Sequence, residues 1–175
     1  MKHKGLFFIL VCFISCAQVE PRYPLNKEKT IFLNSSAERN KKLILEEERL
    51  LFQSAAKDTE HKFQRSDAGY LFAFEKKSST DSKLPKKGDL VRFQYQIQDL
   101  NNNILYDKQT LGIVDYAVDQ EDLLPALREA MRIMRPDEVV VFLFPSYLCY
   151  GYQGDGEKIG INQPLRFTIE RLKSP

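Results

Sequence analysis

From Gly69 to the C-terminus, short apolar segments alternate with polar turns at the spacing of β-strands. Residues 91–98 are the clearest case, because valine, phenylalanine, tyrosine and isoleucine occupy every second position, with arginine and glutamine between them. This pattern is typical of a strand with one buried face. The segment 138–144 is almost continuously apolar and therefore predicts a central strand, covered on both faces. Further strands are predicted at 70–74, 104–107, 113–118 and 165–172.

One helix is predicted within this run of strands, from about Leu123 to about Met134. Asp122 is a suitable N-cap, and Pro136 ends the segment. Five apolar side chains recur along its inner side: Leu123, Leu124, Leu127, Met131 and Met134. The predicted fold class is therefore α+β, with one twisted antiparallel β-sheet wrapped around one short α-helix. A small barrel is the alternative architecture.

A longer helix is predicted before the strands, from about Ser36 to about Asp58. Ser35 and Glu38 form a capping-box pattern at its start. The apolar residues that follow, at 43, 44 and 50–52, fit a single stripe with charged residues outside it. Two interpretations remain open: the helix packs on its own domain, or it serves dimerisation or grips a substrate. The first is the simpler interpretation.

The first sixteen residues have the pattern of an export signal. Lys2 and Lys4 precede an apolar run at 5–13, which is far shorter than the roughly 20 residues of a membrane-spanning helix. Ile14, Ser15 and Cys16 then resemble the bacterial lipobox, which implies cleavage before the cysteine and diacylation of its thiol. Two or three acyl chains would anchor the protein stably, whereas one chain is marginal. An ordinary signal peptide cut nearby, or a short core segment, is the alternative.

Charge and cysteine content argue against several functions. The formal net charge of +2 falls to zero when Lys2 and Lys4 are removed with the signal. A neutral chain without a basic run gives no electrostatic footprint for nucleic acid. Cys149 is the one cysteine left in the folded body, where we expect a small buried apolar side chain and no intramolecular disulfide. Because His61 is the only histidine beyond the predicted signal peptide, we predict no metal site, no Cys-His nucleophile and no cofactor.

Six short motifs in the C-terminal part of the chain resemble those of FKBP-type peptidyl-prolyl cis-trans isomerases. They are residues 85–89 (PKKGD), 93–95 (FQY), 106–107 (YD), 116–127 (YAVDQEDLLPAL), 145–151 (PSYLCYG) and 159–167 (IGINQPLRF). Each motif alone is weak, but their common order and compatible gaps are specific. The resemblance implies an FKBP-like domain and peptidyl-prolyl cis-trans isomerase activity.

The resemblance also implies where the site lies. Tyr150 would donate its hydroxyl to a substrate carbonyl, and Asp107 would organise the polar rim and accept from Tyr95 or a nearby donor. Residues 151–160 would form a flap. Six side chains would line the proline pocket: Tyr106, Leu123, Leu124, Leu127, Ile159 and Phe167. Periodicity alone would assign the strand aromatics to the core, and we keep Tyr116 there.

Three departures from the family pattern bear on activity. The chain has no tryptophan, so Leu127 forms a smaller pocket floor, which implies a weaker or differently selective isomerase. Tyr106 stands in place of the usual phenylalanine and brings a hydroxyl that needs a partner. Gly160 replaces a proline in the flap segment and would loosen it.

A narrower resemblance concerns gliding-motility-associated isomerase lipoproteins of gliding bacteria. It rests on four runs, at 38–52, 118–120, 126–129 and 142–146. Together, the resemblances divide the chain into a lipoprotein signal peptide (1–15), a tether (16–34), an N-terminal helix region (35–65) and an isomerase domain (66–175).

These resemblances imply a cell-envelope protein that is lipid-anchored and faces the periplasm. Its expected partners are proline-containing exported polypeptides and a membrane, reached through the lipid on Cys16, and no nucleic acid is expected. The competing hypothesis is a non-catalytic FKBP-like chaperone or scaffold.

Overall fold

The computed structural model describes residues 27–79 and 82–173, with side chains from residue 33 onward. The predicted signal peptide, Cys16 and most of the predicted tether lie outside the described residues. The chain divides into two units, Met1–Glu38 and Arg39–Pro175. Within the described ranges, no helix combines the length and the apolar character needed to cross a membrane.

Helices and strands of the described residues follow the predicted order. The helices are α1 Lys27–Lys57, α2 Lys108–Leu111 and α3 Pro125–Ile133, and a 3₁₀ turn spans Ser146–Leu148. The strands are β1 Gln64–Arg65, β2 Leu71–Lys76, β3 Leu90–Gln98, β4 Ile104–Tyr106, β5 Ile113–Ala117, β6 Val139–Phe144 and β7 Leu165–Leu172.

The strands form one antiparallel sheet in the order β1-β2-β6-β7-β3-β4. Strand β3 is the longest and pairs with β7 along one edge and with both β4 and β5 along the other. All predicted strands are confirmed to within about two residues at each end, and only the short β1, α2 and the 3₁₀ turn were not predicted. Because the sheet is open, the predicted α+β class is confirmed and the small-barrel alternative is wrong.

Helix α3 covers the inner face of the sheet. Its inward side chains lie in the main core: Ala126, Leu127, Ala130 and Met131. Leu124 is the N-cap residue without a side-chain cap bond, and Pro125 opens the first turn. The predicted cap at Asp122 was therefore wrong. Proline is favoured at the first helical position because it lacks an amide that would be unpaired there.

Helix α1 begins at Lys27, so the predicted start at Ser36 was wrong and the last residues of the predicted tether are helical. Its predicted end near Asp58 is confirmed, because the helix ends at Lys57. No glycine or proline occurs between Pro24 and Gly69 to interrupt it. The helix therefore continues through the capping-box pattern instead of starting there.

From residue 39 onward, α1 packs on the outer face of the sheet. Leu51 is buried against Leu71 of β2 and Leu143 of β6. Because side chains alternate across a strand, Leu143 points away from the main core, to which Phe142 and Phe144 belong. The interpretation that this helix packs on its own domain is confirmed.

A buried ion pair follows the end of α1. Asp58 accepts from Nη1 of Arg166 in β7 at 2.8 Å, and the two side chains are 11% and 9% exposed. Nδ1 of His61 lies 2.9 Å from the same carboxylate. Burial alone would raise the pKa of Asp58, but the hydrogen bonds from Arg166 and His61 outweigh it and hold that pKa at about 2.

Candidate active site

The predicted pocket residues come together in the main apolar cluster, on the inner side of the sheet. Three of them are almost fully buried: Leu127, Ile159 and Phe167 are 2%, 4% and 0% exposed. The other three are partly exposed at the surface of the same cluster: Tyr106, Leu123 and Leu124. The two tyrosines predicted to act on the substrate, Tyr95 and Tyr150, are partly exposed there as well. A ligand would therefore meet the second group first, with the first group forming a floor beneath it.

Aromatic side chains from the two neighbouring strands pack against Phe167 of this floor. Phe167 of β7 stacks on Tyr95 of β3, with ring centroids 5.9 Å apart and planes at 12°. Phe144 of β6 meets Phe167 edge-on at 5.5 Å and 84°. Such pairs contribute about 0.5–1.5 kcal/mol beyond their buried area. The sheet therefore fixes the ring positions before any ligand arrives.

Tyr106 is held by a carboxylate that the sequence did not reveal. Its hydroxyl donates to Oδ2 of Asp155 at 2.5 Å, which supplies the partner that the extra hydroxyl was expected to need. Oδ1 of Asp155 accepts from the amides of Glu157 and Ile159, at 2.9 and 2.8 Å. Asp155 therefore joins the pocket rim to the 151–160 segment. The glycines on either side of it marked a turn in the sequence, but nothing pointed to Tyr106.

The same contact fixes the charges at the rim. The hydrogen bond to Asp155, followed by burial, raises the pKa of Tyr106 to about 12. For Asp155, burial acts upward on the pKa, but the bonds from Tyr106 and the backbone amides hold it at about 2. Lys158 lies over the Tyr106 ring at 4.8 Å and donates to the carbonyl of Leu105 at 3.0 Å. At neutral pH the rim is therefore an ionised carboxylate beside a neutral phenol.

Asp107 caps a helix. Its carboxylate accepts from the backbone amide of Thr110 at 2.7 Å, and Asp107 is the N-cap residue of α2. These bonds lower the pKa of Asp107. The donor that the structure shows for Asp107 is thus the Thr110 amide, and its implied role at the rim with Tyr95 stays a prediction. Asp107 directly follows Tyr106, so the cap fixes the backbone where β4 enters α2.

Tyr150 lies in the apolar cluster, in the segment that follows the 3₁₀ turn. Burial raises the pKa of its phenol to about 12, and the neighbouring Tyr95 and Asp155 add to this effect. The phenol is protonated at neutral pH, so its hydroxyl can donate a hydrogen bond. Burial likewise raises the pKa of the partly buried Cys149 thiol, which keeps it from acting as a thiolate nucleophile.

An apolar floor and a tyrosine hydroxyl in one cluster suit a particular kind of chemistry. The floor can hold a compact apolar ring, and Tyr150 can donate to a carbonyl beside it. In residues 27–79 and 82–173, no three His, Cys, Asp or Glu side chains cluster as metal ligands would. The geometry suits binding of a compact apolar ring beside a hydrogen-bond donor.

Comparison with known proteins found a matching family model, a curated relative and similar solved structures. The sequence model of the FKBP-type peptidyl-prolyl cis-trans isomerase family matches residues 81–172. A curated relative from Neisseria meningitidis serogroup B, described as a probable FKBP-type peptidyl-prolyl cis-trans isomerase FkpA, is 28% identical over 127 residues. The match covers 72% of this chain and 44% of the relative, so the chain spans less than half of that protein's length.

Solved structures support the fold. A peptidyl-prolyl cis-trans isomerase from Pseudomonas syringae pv. tomato superimposes with a TM-score of 0.60 at 19% identity, covering 76% of this chain and 93% of that one. The three FKBP domains of wheat FKBP73 give a TM-score of 0.54 at 20% identity, over 64% and 48% of the two chains. Both structures are similar to this chain in the path of the backbone, and at these sequence identities they support the fold alone.

Proposed function

This chain belongs to the FKBP-type peptidyl-prolyl cis-trans isomerase family, and we propose that it catalyses cis–trans isomerisation of Xaa-Pro bonds in polypeptides. The proposal is supported above all by the geometry, because Tyr150 packs on the same apolar cluster as the stacked rings of Tyr95 and Phe167. The proline ring would contact the partly exposed surface of the cluster, made by Tyr106, Leu123 and Leu124. Leu127, Ile159 and Phe167 would support it from beneath.

The mechanism requires no covalent intermediate. Rotation about an amide C–N bond costs about 18–20 kcal/mol because the planar amide is conjugated. The twisted amide has less charge separation than the planar one. An apolar site therefore lowers the free energy of the twisted form relative to the planar form, compared with the same difference in water. A hydrogen bond from Tyr150 to a substrate carbonyl would hold the chain in the rotating geometry. Asp107 and Asp155 would act on the rim, where they fix Tyr106.

The direct test is an isomerase assay on the full chain, purified in mild detergent, with a panel of Xaa-Pro peptides. Tyr150→Phe should lower kcat/KM about 5- to 10-fold, as expected for one lost hydrogen bond in the transition state. Tyr152→Phe is the matched control, because Tyr152 is 74% exposed. A folded parent that accelerates no peptide, or a Tyr150→Phe variant as active as the parent, would refute the proposal.

A second pair of variants separates the charge of Asp107 from its cap. Asn is also a good N-cap residue, whereas Ala is not. If Asp107 acts by capping α2 and so fixing Tyr106, Asp107→Asn should keep most of the activity and Asp107→Ala should lose it. Equal loss in both variants would assign the effect to the charge.

We propose further that the protein works in the bacterial cell envelope, on proline-containing exported polypeptides, anchored by acyl chains on Cys16. The support is the basic start, the short apolar run and the Ile14-Ser15-Cys16 sequence. Cells grown with labelled palmitate should label the parent and not Cys16→Ser, and the variant should move from the membrane to the soluble fraction. A Cys16→Ser variant that stays membrane-bound would contradict the lipid anchor.

A role in a gliding machinery is the narrowest part of the proposal. It is supported by sequence runs similar to gliding-motility-associated isomerase lipoproteins. Two of these runs, 38–52 and 142–146, touch each other in the fold through Glu47 and Ser146. Deleting the gene in a gliding host should slow colony spreading, and complementation with Tyr150→Phe should tell whether isomerisation is needed. Unchanged spreading in the deletion strain would rule this role out.

A non-catalytic chaperone or scaffold is the second candidate. The observation in its favour is a cleft of about 260 Å³ between α1 and the turn after β6, lined in part by Leu43, Ile44 and Tyr147. Suppression of aggregation of an unfolded client by both the parent and Tyr150→Phe, with no isomerase activity in either, would favour this function. Loss of suppression in Ile44→Asp would locate it at the cleft.

A further inference from the structure

A carboxylate from α1 is buried against the segment that carries Tyr150. Glu47 is 3% exposed. Its Oε2 accepts from the backbone amide of Ser146 at 2.7 Å, and its Oε1 accepts from the Ser146 hydroxyl at 2.6 Å. Both carboxylate oxygens are thus used on one residue, 99 positions away in the chain. Glu47 also lies outside the stretch that the family model matches.

Ser146 in turn holds the residues on either side of Tyr150. Its carbonyl accepts from the amides of both Cys149 and Gly151, each at 2.9 Å. The amide of Ser146 is fixed by Glu47 and its carbonyl fixes the two neighbours of Tyr150, so one residue sets both ends of the turn. The carbonyl of Gly151 accepts from the amide of Asn162 at 2.7 Å, just beyond the flap. A displacement of Ser146 therefore moves the Tyr150 backbone directly.

Docking of α1 does not explain this contact. Leu51 already buries the helix on the sheet with Leu71 and Leu143, and Ser54 donates to the carbonyl of Leu100 at 3.1 Å. A buried charge is an inefficient way to attach a helix, because an apolar residue of similar size is often neutral or more stabilising. Charge-assisted bonds of this kind are short and directional. They are suited to fixing a geometry.

We propose that Glu47 is a positioning residue for prolyl isomerisation, which sets the 146–151 turn and thereby the place of the Tyr150 hydroxyl. This inference rests on the proposed function. The N-terminal helix is then a part of the active-site support, in addition to any role in reach or assembly. The carboxylate acts through Ser146 and touches no substrate.

The test is a double-mutant cycle in the isomerase assay on the full chain. Glu47→Leu leaves the amide and hydroxyl of Ser146 unpaired, and it should lower kcat/KM roughly 5-fold, no more than Tyr150→Phe does. In the Tyr150→Phe background the same change should cost less than about 2-fold, because the hydroxyl that Glu47 positions is already gone. Glu47→Gln keeps an acceptor for the amide and should retain activity within about 2-fold. Glu46→Gln is the matched control, since Glu46 pairs with Arg49 on the exposed face of α1.

Each outcome decides the inference. An equal fall in both backgrounds would show a general structural effect and overturn it, as would full activity of Glu47→Leu in an active parent. A parent without activity would overturn the proposed function and, with it, this inference. In an active parent, the two results above would overturn this inference alone. If Glu47→Leu does not fold, Ser146→Ala takes its place in the same cycle, because it removes only the 2.6 Å bond to Glu47. It too should lower kcat/KM in the parent and have little effect on kcat/KM in the Tyr150→Phe background.

Discussion

Asp58→Asn is the sharpest test of how the end of α1 is held. The change removes one charge from a pair with Arg166 in which both side chains are about nine-tenths buried. It leaves the side chain nearly the same size, so packing is preserved. What remains is the guanidinium of Arg166 without its counter-charge, beside the ring of His61. The free energy of unfolding should therefore fall, and its dependence on pH should change.

The structure gives both the size of the Asp58 contribution to the free energy of unfolding and the direction in which it changes with pH. Lowering the carboxyl pKa from 3.8 to about 2 on folding contributes about 2.5 kcal/mol at neutral pH. Because the pKa is depressed in the folded state, this contribution is present in full above the unfolded value of 3.8. It is lost as pH falls through the folded value of about 2. The variant should lack this term, so the difference between the two proteins should shrink across the same window.

The assay is urea unfolding of the parent and Asp58→Asn at a series of pH values from 7 to 2. Asp115→Asn is the matched control, because it removes the same charge from a pair with Arg92 whose side chains are 45% and 36% exposed. That exposed pair should contribute at most about 1 kcal/mol. A constant difference between parent and Asp58→Asn at all pH values would refute the reasoning, and so would equal losses in the two variants.

Three further changes test other parts of the fold. Leu143→Ala should lower the free energy of unfolding by about 2–5 kcal/mol, measured by urea unfolding, because the alanine leaves a cavity under α1; a loss below 1 kcal/mol would contradict the packing. Gly154→Ala should lower the free energy of unfolding by about 1–3 kcal/mol, because φ of Gly154 is +66° and a Cβ there would meet the carbonyl oxygen of Ile159. An unchanged midpoint in thermal unfolding would contradict this. Tyr106→Phe should speed hydrogen exchange of the flap amides about 10-fold, because Asp155 loses the hydrogen bond from the Tyr106 hydroxyl. Exchange as slow as in the parent would show that Asp155 holds the flap without Tyr106.

The regular elements were predictable because their signals are local. A strand with one buried face repeats every second residue, and β3 does so along nearly its whole length. Helix starts were less predictable, since they depend on which of several adequate caps is used. The capping-box residues Ser35 and Glu38 lie inside α1, and α3 starts with Leu124 and Pro125 instead of the polar Asp122. Proline at the first turn was sufficient for that start.

The two carboxylates that support the proposed site could not be predicted, because their partners are distant in the chain. Asp155 lies in a glycine-rich turn and Glu47 in a run of three glutamates, where either is ordinarily a solvated charge. Tyr106 is 49 positions from Asp155, and Ser146 is 99 positions from Glu47. Nothing in periodicity encodes such a pairing. Both contacts form only in the folded chain, where β4 meets the 151–160 segment and α1 meets the turn after β6.

In the proposed reaction, these two contacts would act on different steps. Asp155 fixes the ring that a proline would touch and at the same time the amide of Ile159, so its loss should weaken binding of the ring more than the rotation itself. Glu47 fixes only the turn that presents a hydrogen-bond donor, so its loss should act on the step in which that bond is strongest. If both hold, the flap and the N-terminal helix tune binding and turnover separately. An isomerase with a small leucine floor could then gain selectivity through the flap without changing the donor that the helix holds in place.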